Sequence, residues 1–429
     1  SGIGASPGAA VGRIVLTADD EMMAADDVIL VRQETSPADV HGMQVAVGIL
    51  TTRGGLASHA AVVARGWGKP AVCGAENIEI ATDHILINGE RIAVGETLSI
   101  DGGSGEVIRG ALQTTDVDPI PALATLLTWA DEVRDLAIRA NADTATEAKV
   151  ARDNGAEGIG LCRTEHMFLD EQRPPVIRSM ILADTPEQET QALNKLRDTQ
   201  HADFAELLEQ MDGLPVTVRL LDPPLHEFLP DIDELLEAAA RNELDEEGEA
   251  LLDAAQKWRE RNPMIGTRGV RLAWLKPGLY EMQTQALLDA ISDRVANGGQ
   301  PVVEIMIPLT VSGKELSGIR QQIETVVEEH NSTTSIKIGT MIETPRAAVV
   351  AGELAEHADF FSFGTNDLTQ LTFGFSRDDI ESRIMGLYLD EELIEANPFQ
   401  RLDSGAVLEL VRLGIERGRN TKPDLSIGV

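Results

Sequence analysis

At 429 residues the chain has room for two or three domains of roughly 100–200 residues each, and its 43% hydrophobic content supplies sizeable cores. Its 71 acidic residues against 36 basic ones give a net charge of −35, a field that repels nucleic acid and anionic membranes and leaves any anionic substrate dependent on local arginine clusters. No apolar run approaches the ~18 residues of a membrane span, the opening residues do not resemble a secretory signal, and two distant cysteines, Cys73 and Cys162, exclude a disulfide framework or a thiolate zinc site and make a reducing cytoplasm the expected setting.

Residues 1–112 read as a small α/β domain. A turn-rich stretch from Gly2 to Gly12 precedes a strand over Arg13 to Leu16, and Asp27 to Val31 reads as a second strand. A helix is expected to start within Pro37 to Met43. The apolar run Gly48-Ile49-Leu50-Thr51-Thr52 reads as a strand that turns sharply at Gly54-Gly55 into a helix over Ala60 to Arg65. Ser58 is the expected N-cap, its hydroxyl accepting from a free amide one turn on. His59 therefore stands at a helix start, where free amides favour an anion and a ring nitrogen could hold a phosphoryl group. Spacing alone leaves a structural turn histidine equally open. Lys69 to Gly74 reads as a short buried strand, and Arg91 to Ile108 as two hairpin strands joined by glycine-rich turns.

Residues 113–134 read as a linker, Thr114 to Pro121, followed by an amphipathic helix through Trp129, a connection that would let the first domain swing as a unit. From 135 to 429 apolar strands alternate with polar loops and helices. The strands are expected over Leu136 to Ala140, Gly158 to Cys162, Val216 to Leu221, Val302 to Ile307, Ile336 to Ile342, Phe360 to Phe363 and Leu425 to Val429. This alternation implies a parallel sheet with right-handed crossovers, and seven strands fit a (β/α)8 TIM-type barrel whose last strand is missing. The polar residues follow the strands, where barrel sites form: Asn141 and Asp143; Arg163, Thr164 and Glu165; Arg219 and Asp222; Glu343; Asn366 and Asp367. Arg163, Arg219 and Arg268 offer bidentate donors for phosphate and carboxylate. Glu343 and Asp367 offer the hard oxygens that Mg2+ prefers. Such a set suits a small phosphorylated carboxylic acid.

The segment Gly54-Gly55-Leu56-Ala57-Ser58-His59-Ala60-Ala61-Val62-Val63-Ala64-Arg65-Gly66 resembles the phosphohistidine signature of the phosphoenolpyruvate-utilising enzymes, a family that includes dikinases, phosphoenolpyruvate synthase and Enzyme I of the sugar phosphotransferase system. Gly158 to Phe168, Arg219 to Pro230 and Asn262 to Gly269 look like the dikinase version of the barrel motifs, and Gly364-Thr365-Asn366-Asp367-Leu368-Thr369-Gln370 is shared by the whole family. The resemblance covers essentially the whole chain. It implies a swivelling domain whose His59 carries the phosphoryl group, and a barrel that passes it between the histidine and pyruvate. Arg163, Arg219 and Arg268 would bind phosphoryl and carboxylate groups, Thr365 and Asn366 the substrate, and Glu343 and Asp367 both substrate and Mg2+. The overall reaction it implies interconverts ATP, phosphate and pyruvate with AMP, diphosphate and phosphoenolpyruvate. It also implies a homodimer formed through the barrel.

Three departures from the family pattern stand out. No ATP-binding domain precedes Ser1, so these residues alone are not expected to react with ATP. The family's eighth strand carries an acid/base cysteine, which neither Cys73 nor Cys162 replaces by position. Plant-type enzymes are regulated at a threonine two residues before the histidine, and Ala57 stands there. The alternatives are an Enzyme I-like or phosphoenolpyruvate synthase-like phosphocarrier, and a non-catalytic homologue that only binds phosphoenolpyruvate or a partner. The motif Leu221 to His226 speaks against the first and the intact site residues against the second.

Overall fold

The computed structural model describes residues 2–18, 27–35, 39–55, 58–66, 68–75, 77–87, 89–112, 121–168, 174–183, 185–331 and 334–429. The chain divides into two compact units: Ser1–Val133 with Asp378–Leu393, and Arg134–Arg377 with Ile394–Val429. No helix among the described residues is long and apolar enough to cross a membrane.

The first unit is built on strands β1 (Ile3–Ser6), β2 (Ala9–Val15), β3 (Val28–Arg32), β4 (Gly48–Thr51), β5 (Ala71–Cys73), β6 (Ile78–Ile80), β7 (His84–Ile87), β8 (Glu90–Ala93), β9 (Thr97–Asp101) and β10 (Glu106–Arg109). Seven of them form a mixed sheet in the order β1-β5-β4-β3-β2-β9-β10, with β2 to β5 mutually parallel, and β6 to β8 form a separate antiparallel sheet. The central strands are apolar on both faces because both faces are covered. On β3, Val28 and Leu30 pack with Ala60, Ala61 and Ala64 of the helix His59–Gly66. Ile29 and Val31 pack on the other side with Ile78, Ile85 and Ile92 of the small sheet. The period of two along β3 thus separates two cores. The expected hairpin over Arg91 to Ile108 is found only in its second half. Thr97–Asp101 pairs with Glu106–Arg109, whereas Glu90–Ala93 pairs with β7 because its inward Ile92 belongs to the core under the small sheet. Residues 114–120 of the expected linker Thr114 to Pro121 and the beginning of the expected helix at residues 37–38 lie outside the described residues; Pro121 opens the following helix, which runs Pro121–Val133, beyond Trp129.

The second unit contains β11 (Ala140–Asn141), β12 (Ile159–Arg163), β13 (Pro215–Arg219), β14 (Val302–Ile307), β15 (Lys337–Ile342), β16 (Phe360–Phe363) and β17 (Ser426–Gly428). All are parallel and lie side by side in chain order, the winding of a (β/α)8-type barrel. The first of them is shorter than Leu136 to Ala140. The Ile138 N–H is taken by the Glu157 carboxylate at 2.9 Å instead of a neighbouring strand, and Leu136 and Ile138 are exposed. Arg139 turns instead toward Glu304, 2.5 Å away, which also accepts from the buried Thr217 hydroxyl at 2.8 Å. The long helices Pro186–Gln210 and Leu279–Ala296 pack outside the sheet, the first opened by a capping box at Thr185 and Gln188.

Candidate functional site

The ends of β12, β13, β14, β15 and β16 bring one cluster of ionic side chains together. Arg219 closes β13 and is buried. Its guanidinium donates to the Glu165 carboxylate, just after β12, and lies 3.0 Å from Asp222. Arg268, from the loop before the helix Val270–Leu275, grips the same Asp222 through Nε at 3.1 Å and Nη2 at 2.5 Å, and reaches Asp367 at 3.4 Å. Asp222, only 1% exposed, is thus the anchor shared by both arginines. Gly269 lets the loop pass so close: its φ is +57°, and a Cβ there would stand 2.9 Å from Asp222 Oδ1.

Glu343, after β15, is 1% exposed and accepts the Leu309 N–H at 2.6 Å through Oε1. Leu309, after β14, holds a left-handed backbone with φ of +60°, a costly conformation for leucine that aims its amide at the carboxylate. Glu343 Oε2, Glu165 Oε2 and Arg219 Nε are buried without a hydrogen-bond partner. Orphaned groups of both signs at one spot mark a place made for a ligand. Burial pushes the Glu343 carboxyl well above the ordinary range, and the charges of Asp222 and Asp367 push it further against the pull of Arg219 and Arg268. Four carboxylates therefore face two guanidiniums. The donor set is short of positive charge, and the free oxygens of Glu343 and Glu165 are hard, a chemistry that fits a divalent cation of the Mg2+ class. Among the described residues no three His, Cys, Asp or Glu groups are arranged as a ready-made metal site. Two carboxylates are within what Mg2+ takes from a protein when substrate oxygens complete its shell.

Arg163 lies at the rim rather than in this cluster. Its backbone N–H, Nε and Nη2 donate to Asp143 at 2.7, 3.1 and 2.8 Å, and His166 Nδ1 also meets Asp143 at 2.8 Å. Burial raises the Asp143 carboxyl, but the bonds from His166 and Arg163 outweigh it and hold the group below its usual value. Thr365, Asn366 and Asp367 form the first turn of the helix Thr365–Phe373, with Arg377 donating to Asn366 Oδ1 at 3.3 Å and Gln370 Nε2 lying 3.5 Å from Asp367 Oδ1. Asn141 sits at the end of β11. Cys162 is fully buried in β12, where burial pushes its thiol well above the ordinary range. Sequence reading found the strand ends but not the way they combine. Leu309, whose amide meets Glu343, carries no motif that the sequence could show.

In the first unit, Gly54 turns the chain with φ of +92°, and a Cβ there would meet Ser58 Cβ at 2.7 Å. The Ser58 hydroxyl accepts from the Ala61 N–H at 3.4 Å, a long capping bond at the start of the helix, and lies 3.7 Å from the buried Cys73 sulfur. His59 is the first residue of that helix. Ala57 lies outside the described residues.

Comparison with known proteins bears on both units. The family model described as PEP-utilising enzyme, PEP-binding domain, matches residues 120–423, and that described as PEP-utilising enzyme, mobile domain, matches residues 24–105. Over its whole length the chain is 49% identical to pyruvate, phosphate dikinase 1, chloroplastic, of Oryza sativa subsp. japonica, covering 46% of that protein. It is 48% identical to pyruvate, phosphate dikinase 2 of Zea mays, covering 50%, and 47% identical to pyruvate, phosphate dikinase of Rhizobium meliloti (strain 1021), covering 49%. The chain thus spans about half the length of the curated relatives it matches.

Proposed function

The chain belongs to the phosphoenolpyruvate-utilising enzymes, and from that premise we propose that it carries the phosphohistidine domain and the phosphoenolpyruvate/pyruvate barrel of a pyruvate, phosphate dikinase. The observation that carries this reading is the buried cluster of Arg219, Arg268, Glu165, Asp222, Glu343 and Asp367 with its unpartnered carboxylate oxygens. In the proposed half-reaction His59 attacks the phosphorus of phosphoenolpyruvate. A nitrogen–phosphorus bond forms as the phosphorus–oxygen bond breaks, and the enolate released takes a proton on carbon to become pyruvate. Arg219 and Arg268 hold the phosphoryl and carboxylate oxygens, with Arg163 closing the rim, and Thr365 and Asn366 orient the substrate. Mg2+ bound at Glu343 and Asp367 would supply the positive charge that the cluster lacks. Little bond-making is left to the barrel, whose work is alignment and neutralisation of charge spread over oxygens.

Interconversion with ATP, phosphate, AMP and diphosphate is proposed to take place elsewhere in the protein, with the first unit travelling between sites. A homodimer and a cytoplasmic setting complete the proposal. The second is supported by both cysteines being free and buried. The test is incubation of the full-length protein with phosphoenolpyruvate labelled in its phosphoryl group. Acid-labile label is expected on histidine and absent from His59→Ala; label on the alanine variant overturns the assignment of His59.

A further inference from the structure

The helix Leu279–Ala296 belongs to the outer layer of the second unit, yet it buries three polar side chains completely: Tyr280, Gln283 and Thr284. Thr284 is satisfied within the helix, by the Tyr280 carbonyl at 2.8 Å. The other two reach out of it. The Tyr280 hydroxyl donates to the Leu221 carbonyl at 2.8 Å, and Gln283 Oε1 accepts the Leu221 N–H at 2.9 Å. Gln283 Nε2 donates to the Thr164 hydroxyl at 3.0 Å.

What these three bonds hold is specific. The ladder of β13 ends at Arg219, and Leu220 N–H still bonds Met306 on the next strand at 3.0 Å. One residue later the chain leaves the sheet, and both backbone polar groups of Leu221 are taken by the outer helix. Leu221 stands between Arg219 and Asp222, and Thr164 between Arg163 and Glu165. A single amide, Gln283, therefore ties the ends of β12 and β13 at the spot where Glu165 meets Arg219. Because its oxygen is engaged by a backbone N–H, its nitrogen is the end that faces Thr164, so the amide has one orientation. Burial raises the Tyr280 phenol well above its ordinary value, which keeps its proton available to Leu221.

We propose that Tyr280 and Gln283 are positioning residues of the transfer site, a buried clamp that fixes Arg219, Asp222 and Glu165 by pinning the backbone of Leu221 and the hydroxyl of Thr164. The proposal rests on the functional reading above for the reaction it serves. Neither side chain touches a substrate. Each acts through a strand end, and a shift of about 1 Å in a reacting geometry costs roughly a hundredfold in rate.

The test compares Tyr280→Phe and Gln283→Leu with Leu287→Ala, a core substitution on the same helix whose side chain has no polar group to bond either strand end. The full-length proteins are assayed for label transfer from phosphoenolpyruvate per folded molecule, for KM and kcat, and for thermal midpoint. Hydrogen exchange of the Leu221 amide is followed in parallel. The clamp variants are expected to lose about tenfold or more in kcat with a smaller change in KM. Gln283→Leu should also expose the Leu221 amide to exchange, and a conservative Gln283→Glu should restore part of the rate as its acid form becomes populated at low pH. Leu287→Ala should lower the thermal midpoint while keeping its turnover per folded molecule. The proposal is overturned if the clamp variants turn over like the wild type, if Leu287→Ala loses as much kcat, or if the Leu221 amide stays protected in Gln283→Leu. The functional reading fails differently, by absence of label transfer in the wild type, and the exchange measurement then decides the clamp by itself.

Discussion

Replacing Asp222 by Asn tests the core of the site, because one carboxylate there anchors two arginines. Asp222 lies 3.0 Å from Arg219 and 2.5 and 3.1 Å from the two gripping nitrogens of Arg268, with 1% of its surface exposed. Breaking a buried ion pair by removing one partner costs about 3–5 kcal/mol, because the remaining charge is left in a poor solvent. Two features lower that figure here. Asn keeps one acceptor oxygen, and the cluster holds an excess of carboxylates, so Glu165, Glu343 and Asp367 still face the guanidiniums. A loss of about 3 kcal/mol is expected, which for a unit of this size corresponds to a fall of roughly 6–12 °C in thermal midpoint. A second consequence separates this account from plain destabilisation. Asp222 is the foremost charge, after burial itself, holding the Glu343 carboxyl above its ordinary range. In Asp222→Asn, Glu343 should therefore ionise at lower pH, and the midpoint of pH-dependent Mg2+ binding should move down with it. Calorimetric titration with Mg2+ and phosphoenolpyruvate across pH, beside a thermal melt, measures both. A variant as stable as the wild type, with an unmoved binding midpoint, would refute the role given to Asp222.

The other predictions follow from single observations. Glu343 must lose its proton to bind a cation, so Mg2+ affinity should rise with pH above the ordinary carboxylate range and Glu343→Gln should abolish that dependence, as read by titration at several pH values. The sign for stability is the opposite: a raised native value means that the ligand-free fold is favoured below the unfolded-state value and loses that contribution as pH rises through the native one, so a melt without Mg2+ should fall over the interval in which binding improves. Ser58→Ala removes a long cap and should cost the first unit about 0.5–1 kcal/mol, measured by chemical unfolding; no loss would show that the bond to Ala61 carries no energy. With a net charge of −35, self-repulsion should be screened as the Debye length shrinks to about 3 Å near 1 M salt, so the thermal midpoint should climb by several degrees between 0.1 and 1 M KCl, and a flat profile would count against it.

Much of the fold was legible because its signals are local. Strands such as Val302–Ile307 and Phe360–Phe363 are mostly apolar, each with a single polar residue, Glu304 and Ser362, and a parallel sheet covered on both faces needs such largely apolar runs. The Gly54 turn and the Ser58 cap follow from the conformations those residues favour. The expected strand from Leu136 failed because alternating apolar residues at a sheet end can stay exposed when a side chain such as Glu157 takes the ladder's donor. Among the site residues, position after a strand singled out Arg219, Asp222, Glu343 and Asp367. That Asp222 anchors both Arg219 and Arg268 while Arg163 binds Asp143 could not be read, since partners 46 and 20 residues apart are chosen by the winding of the sheet. Tyr280 and Gln283 escaped for the same reason: their partners, the backbone of Leu221 and the Thr164 hydroxyl, lie 59 to 119 residues away in the chain.

The charge of the whole chain and the charge of the site lead to the same requirement. A protein at −35 repels a free phosphorylated carboxylate at long range, and at short range its two buried arginines are already outnumbered by carboxylates. An anion that met only Arg219 and Arg268 would have to displace Glu165, Asp222 or Asp367 from them, giving up short charge-assisted bonds for new ones of similar strength. A substrate that arrived with a divalent cation would avoid that exchange on the proposed reading, because the cation would take up the unpartnered oxygen of Glu343 and leave the substrate oxygens to the arginines. Phosphoenolpyruvate binding should therefore weaken by more than a hundredfold when Mg2+ is removed with a chelator, well beyond what loss of a single surface contact would produce. In Glu343→Gln binding with the cation should worsen, because the amide offers no anionic oxygen, while binding without it should change little, because burial and the neighbouring carboxylates already favour the protonated Glu343. Titration calorimetry of both proteins with and without Mg2+ gives the four affinities, and a Glu343→Gln protein that weakens equally in both conditions would show that the carboxylate acts by shape and not by charge.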